Sequence, residues 1–151
     1  MDAFVVPPGG GRQIELGPFA MALKATGEET GGIFSLLEAD EPPGFGPPLH
    51  VHHDAAEAFY VLAGEYVMFL DDREVRCSAG SFVFIPAGMR HGFRVGDIPG
   101  RKLNFYFPAA MVGYFDELSA AIARGDAEGD LAAIATRHAM EIVGPVPESY
   151  V

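Results

Sequence analysis

The sequence is short of cations, of cysteine and of long apolar runs, and each shortage removes a class of function. Ten Lys and Arg stand against 21 Asp and Glu, a formal net charge of −11. A nucleic-acid binder needs a basic stripe, and none is present. An anionic membrane surface would repel the same charge. The single cysteine, Cys77, has no internal disulfide partner, so nothing here requires an oxidising compartment. Tryptophan is absent, which leaves twelve phenylalanines to supply most of the large core volume. No apolar run approaches membrane-spanning length, and the first residues lack a charged segment followed by an apolar one. The expectation is a soluble, cytoplasmic protein.

What the chain has in quantity is glycine (19) and proline (12), spread over 151 residues that suit one domain, residues 1–151. Short apolar runs alternate with turn signals from Ile14 to Phe107, including turns at Gly64 and at Asp71-Asp72. Strands of this length and spacing predict an all-β sandwich or barrel over about residues 12–108. After Pro108 the period changes. Met111, Phe115, Leu118 and Ile122 recur at helical spacing, predicting a helix over 109–124 that ends at Gly125. Asp130 is a candidate N-cap for a second helix with Leu131, Ile134 and His138 on one face, so the helical segment spans about 109–143. The segment from Gly144 to Pro147 reads as extended or irregular.

Two stretches carry chemistry. The first runs Gly44, five residues, His50-Val51-His52, four residues, Glu57, six residues, Gly64. The second runs Gly80, five residues, Pro86-Ala87-Gly88, two residues, His91. In a strand, residues i and i+2 share a face, so His50 and His52 present two imidazoles side by side. Glu57 opens the next run and His91 a later one. Neutral imidazoles and a carboxylate suit a borderline transition metal. An isolated His-x-His with a nearby Glu carries little weight. Four ligand-type residues on two independent patterns, with four glycines and a proline in place, carry a good deal.

These spacings match both signature motifs of the cupin superfamily, and over roughly residues 30–108 the chain resembles a small single-domain cupin. The resemblance implies a double-stranded β-helix, the cupin jelly-roll barrel, followed here by two C-terminal α-helices. It also implies that His50, His52, Glu57 and His91 bind one divalent transition metal ion, be it Fe, Mn, Ni, Co, Cu or Zn. One position departs: where the second motif usually ends in Asn, this chain has Val95, which makes the cavity more apolar.

Strand alternation from the ligands turns Phe59, Val61, Phe93 and Val95 inward as a substrate pocket, while the parity of residues 81–85 and 102–107 stays open. No Lys/Arg clamp falls on the ligand-bearing strands, which argues against sugar phosphates and for a planar aromatic or polyketide-like molecule. The C-terminal layout is similar to that of quercetin dioxygenase-like cupins and of polyketide-cyclase cupins. The functional expectation is therefore a metal-dependent dioxygenase acting on a hydroxylated aromatic, flavonoid-like or polyketide-like small molecule. The alternatives are a Lewis-acid cyclase or isomerase of aromatic polyketides and a non-catalytic small-molecule-binding cupin. Glu57 is the expected catalytic base, with burial raising its pKa toward a useful range. His53 reads as a rim residue, His138 as a packed core histidine, Cys77 as a small buried hydrophobe, and Arg90 and Arg94 as solvated or interface charges. Strands apolar on both faces suggest a homodimer.

Overall fold

In the computed structural model, which describes residues 1–145, eleven strands and two helices follow one another in the order the sequence suggests, with one addition. The strands are β1 (Arg12–Glu15), β2 (Ala20–Ala25), β3 (Ser35–Glu41), β4 (Leu49–His52), β5 (Ala56–Ala63) and β6 (Glu65–Leu70). They continue with β7 (Arg73–Ser78), β8 (Phe82–Ile85), β9 (His91–Val95) and β10 (Gly100–Phe107). Helices α1 (Val112–Arg124) and α2 (Ala127–Arg137) come next, and β11 (Met140–Gly144) is the addition.

The strands form two antiparallel sheets facing one another, ordered β1-β2-β3-β10-β5-β8 and β11-β4-β9-β6-β7. Jumps in that order, such as β3 beside β10 and β4 beside β9, make the fold a jelly roll rather than a meander. Alternation of buried with less buried residues along β2 and β3 of the first sheet and β4 of the second shows each sheet turning one face to the shared interior. The turn at Gly64 needs glycine: its φ is +76°, and a Cβ would sit 2.6 Å from the Pro99 carbonyl oxygen.

The parities left open by the sequence are now decided. On β8, Val83 and Ile85 point in while Phe82 and Phe84 point out, 64% and 55% exposed. On β10, Lys102, Asn104 and Tyr106 point in and Leu103, Phe105 and Phe107 do not.

The C-terminal segment differs in detail from expectation. Helix α1 starts at Val112, not 109, because Met111 takes a left-handed conformation (φ 72°) that cannot continue a helix. It ends at Gly125 (φ 81°), whose N–H donates to the last carbonyls of the helix, as the sequence predicts. Helix α2 begins one turn earlier than expected, after Asp126 rather than Asp130. Gly144, expected to be extended or irregular, is extended. It ends β11, which pairs with β4 through Met140↔His52 and Ile142↔His50; Val146 and Pro147 lie outside the described residues. Among the described residues no helix is long and apolar enough to cross a membrane.

Candidate metal centre and its cavity

Three of the four predicted ligands come from one sheet and the fourth from the sheet facing it. His50 and His52 project from the same face of β4, and the antiparallel pairing with β9 sets His91 directly opposite His50. Glu57 stands on β5, flanked by Tyr106 of β10 and Ile85 of β8. All four are buried, and their ligating atoms lie within 4.8 Å of one another. The imidazole centroids are 4.3 to 5.3 Å apart.

Hydrogen bonding at the back of each ring sets what the front can do. His50 Nδ1 lies 2.7 Å from the Pro48 carbonyl oxygen, which can only accept. The Nδ1–H therefore donates, and Nε2 keeps its lone pair for the interior. Burial first, then the charge of His91, push the His50 pKa down to about 3, so this ring is neutral. His91 Nδ1 likewise donates to the Met89 carbonyl at 2.9 Å, while its Nε2 lies 2.7 Å from Glu57 Oε2. With an acceptor at both nitrogens, His91 carries two protons when no ion is bound. Burial alone would lower its pKa, but the hydrogen bond and charge of Glu57, together with the Met89 carbonyl, outweigh this and the net shift is upward.

Glu57 departs from expectation. Burial does push its carboxyl up, but the charge of His52 and the hydrogen bond and charge of His91 more than offset that and hold it well below the usual carboxylate range. It is an anion here, suited to ligation, rather than a base poised near neutrality.

His52 supplies the test of whether an ion fits. Its Nε2 is buried and makes no hydrogen bond, although Glu57 Oε2 is 3.0 Å away in the wrong direction for one. An orphaned buried nitrogen costs about 1–3 kcal/mol. Three imidazole nitrogens and an anionic oxygen converging on one point, one nitrogen unpaired, are a donor set that a divalent transition metal fits.

The cluster opens on a cavity of about 300 Å³. His50, His52, Glu57 and Tyr106 form one wall, and Phe19, Met21, Phe45 and Phe93 line the sides. Tyr114, Phe115, Leu118 and Ile122 of α1, Leu131 of α2 and Met140 of β11 also border it. Of the four pocket residues predicted from alternation, Phe93 lines this cavity. Phe59, Val61 and Val95 do face the interior, but pack with Tyr66, Met68 and Ile85 in the apolar core behind it.

Sequence reasoning missed Glu41, Asn104, Tyr106 and the helical wall. Alternation along β10 contained the signal for Asn104 and Tyr106, but the strand's parity needed its register. Among the weaker candidates, His53 is exposed at the rim, 3.1 Å from Glu141, and Cys77 is buried with its thiol pushed up by burial. His138 is not a packed core residue: it caps the end of α2, is partly exposed, and pairs with Glu117 of α1. Arg90 and Arg94 reach the carbonyls of Asp71 and Gly44.

A jelly roll holding three histidines and a glutamate between its sheets defines a metal-site β-barrel class. Within that class, residues 37–103 match the family model described as a cupin domain. The chain is 25% identical over 115 residues to quercetin 2,3-dioxygenase of Bacillus subtilis, covering 76% of this chain and 34% of that protein. It thus spans about a third of that relative's length. Among solved structures it is similar to the polyketide cyclase RemF of Streptomyces resistomycificus, at a TM-score of 0.60 and 23% identity, over 70% of this chain and 80% of that one. It is also similar to the Streptomyces nucleoside dehydratase Pac13, at a TM-score of 0.63 and 11% identity, over 99% and 98% of the two chains. At these identities the solved structures speak for the fold.

Proposed function

We propose that this protein is a metal-dependent cupin enzyme, a dioxygenase acting on a hydroxylated aromatic, flavonoid-like or polyketide-like small molecule. The observation that carries the reading is the placement of the four-ligand cluster, through His50, His52 and Glu57, in the wall of a largely apolar and aromatic cavity. His50, His52, Glu57 and His91 would hold the ion. A divalent metal there supplies Lewis acidity, which lowers the pKa of a phenol or enol oxygen bound to it. The chain's own residues do the rest. Phe19, Phe45, Phe93 and Phe115 sandwich a flat ring and exclude water, and Glu57 accepts a proton from the substrate hydroxyl. Because Glu57 is held so acidic, it suits an already acidic O–H better than a C–H, which favours the dioxygenase over the cyclase or isomerase.

The test is an oxygen electrode with metal-loaded protein and a flavonol. Oxygen uptake stoichiometric with product is expected; undiminished anaerobic turnover would instead establish the cyclase. Glu57→Gln in a fully metallated protein is expected to lose on the order of 10² to 10⁴ in turnover. Near wild-type turnover would remove its catalytic role.

We also propose a homodimer, through the outer face of β5, β8 and β10. Tyr60, Leu62, Phe82, Phe84 and Phe107 are all more than a third exposed there, an aromatic strip that a second copy would cover. Light scattering should give twice the 16.1 kDa chain mass, and a monomer at micromolar concentration overturns this.

A further inference from the structure

A second buried polar group borders the same cavity, and the metal chemistry does not use it. Lys102 is completely buried on β10. Its Nζ lies 2.7 Å from Asn104 Oδ1 and 3.1 Å from Glu41 Oε1, and sits over the rings of Phe93 and Phe59 at 4.2 and 4.6 Å. Tyr66 donates its hydroxyl to the same Glu41 oxygen at 2.8 Å.

Two consequences follow for a ligand. Both contacts to Glu41 fall on Oε1, while the Glu41 side chain itself borders the cavity, so Oε2 is the oxygen a ligand would meet. Asn104 also lines the cavity; its Oδ1 accepts from Lys102 and its amide donates toward the Tyr106 hydroxyl beside Glu57, which leaves one N–H for a ligand. The cavity therefore has polar groups at two places, with aromatic rings between. Along β10, Glu41 pairs with Gly100 and Glu57 with Tyr106, so the two carboxylates stand toward opposite ends of the cavity. An elongated ring system with an oxygen at each end is the ligand shape that meets both.

We infer that Glu41 and Asn104, held by Lys102, form a specificity-determining subsite that binds a hydroxyl at the end of the substrate remote from the metal ligands. The inference rests on the reading of the cavity as a small-molecule site and narrows it to ring systems with an oxygen at each end. Lys102 is a positioning residue: its charge orients Glu41 and Asn104 and makes no contact with the ligand.

Calorimetry on the metal-loaded full chain with 2,6-dihydroxynaphthalene and 2-naphthol tests this without requiring turnover. The diol should bind tighter by on the order of tenfold, the scale of one hydrogen bond to a charged acceptor. The double variant Glu41→Gln, Lys102→Met removes both charges at near-constant volume. It should bring the preference to about twofold or less, because a neutral acceptor is the weaker partner. Asn104→Leu should reduce the preference in the same direction, and decides the matter alone if the double variant does not fold by circular dichroism. Equal affinity of the two compounds for the wild type overturns the subsite and leaves the cavity reading standing. So does an undiminished preference in the folded variants. Binding of neither compound overturns the cavity reading and the subsite together.

Discussion

The barrel buries two polar clusters, and they solve the same problem in opposite ways. Around Lys102, every group meets a partner from the chain itself: the ammonium has Glu41 and Asn104, and Glu41 has Tyr66 as well. Around His52, three imidazoles and one carboxylate crowd together, and one ring nitrogen is left unpaired. A cluster satisfied by the chain keeps its shape without a ligand and can present what is left over, such as Glu41 Oε2, to one. A cluster of good ligands with an orphan is completed from outside. The difference lies in stoichiometry of donors and acceptors, since burial is nearly complete in both.

Breaking the first cluster should therefore cost stability, and breaking the second should cost the ion. Lys102→Ala strands Glu41 as an uncompensated buried charge, and urea denaturation should show a loss of about 3–5 kcal/mol. A loss under 1 kcal/mol would mean that water already reaches this pair. His52→Ala should sharply lower metal occupancy by elemental analysis while the circular dichroism spectrum of the barrel is kept, since the surrounding core is apolar and does not depend on the ion. Wild-type occupancy in that variant would strike His52 from the ligand set.

The pH response sharpens the contrast further. Without an ion, His91 has its pKa raised above 6.5 and Glu57 has its own lowered below 4.5. The His91 contribution to stability is fully present below 6.5 and is lost as pH rises through the raised value. The Glu57 contribution is present above 4.5 and is lost as pH falls through the depressed value. The metal-free protein should thus be most heat-resistant in mildly acidic solution. Metal uptake must displace the His91 proton, so apparent affinity should climb with pH near neutrality, with proton release visible in a weakly buffered titration. A pH-independent affinity across that range would show that His91 gives up no proton. The smallest effect is expected outside both clusters: His53→Gln breaks an exposed pair with Glu141 and should change stability by about 1 kcal/mol or less.

How much of this was legible in the chain depends on the range of the interaction. Strand and helix identities followed from local period, and most strands lie within one or two residues of where apolar runs end at turn residues. The exception, β11, is only five residues long, and it is a strand because β4 offers it an open edge. The four ligands were readable because two motif spacings place them on specific strand positions. Their charge state was not. Burial alone argued for a raised Glu57, and only the distances to His52 and His91 reversed the sign.

By itself, then, the sequence determined the class of fold, the ligand types and the apolar character of the interior, since alternation and turn chemistry act over a few residues. Tertiary structure alone decided which face of β10 looks inward, that α1 and α2 wall the cavity, and that Lys102 finds Glu41 across 61 positions of chain. Register, sheet order and the field at a buried carboxylate are sums over residues far apart in the chain, and no local pattern encodes them.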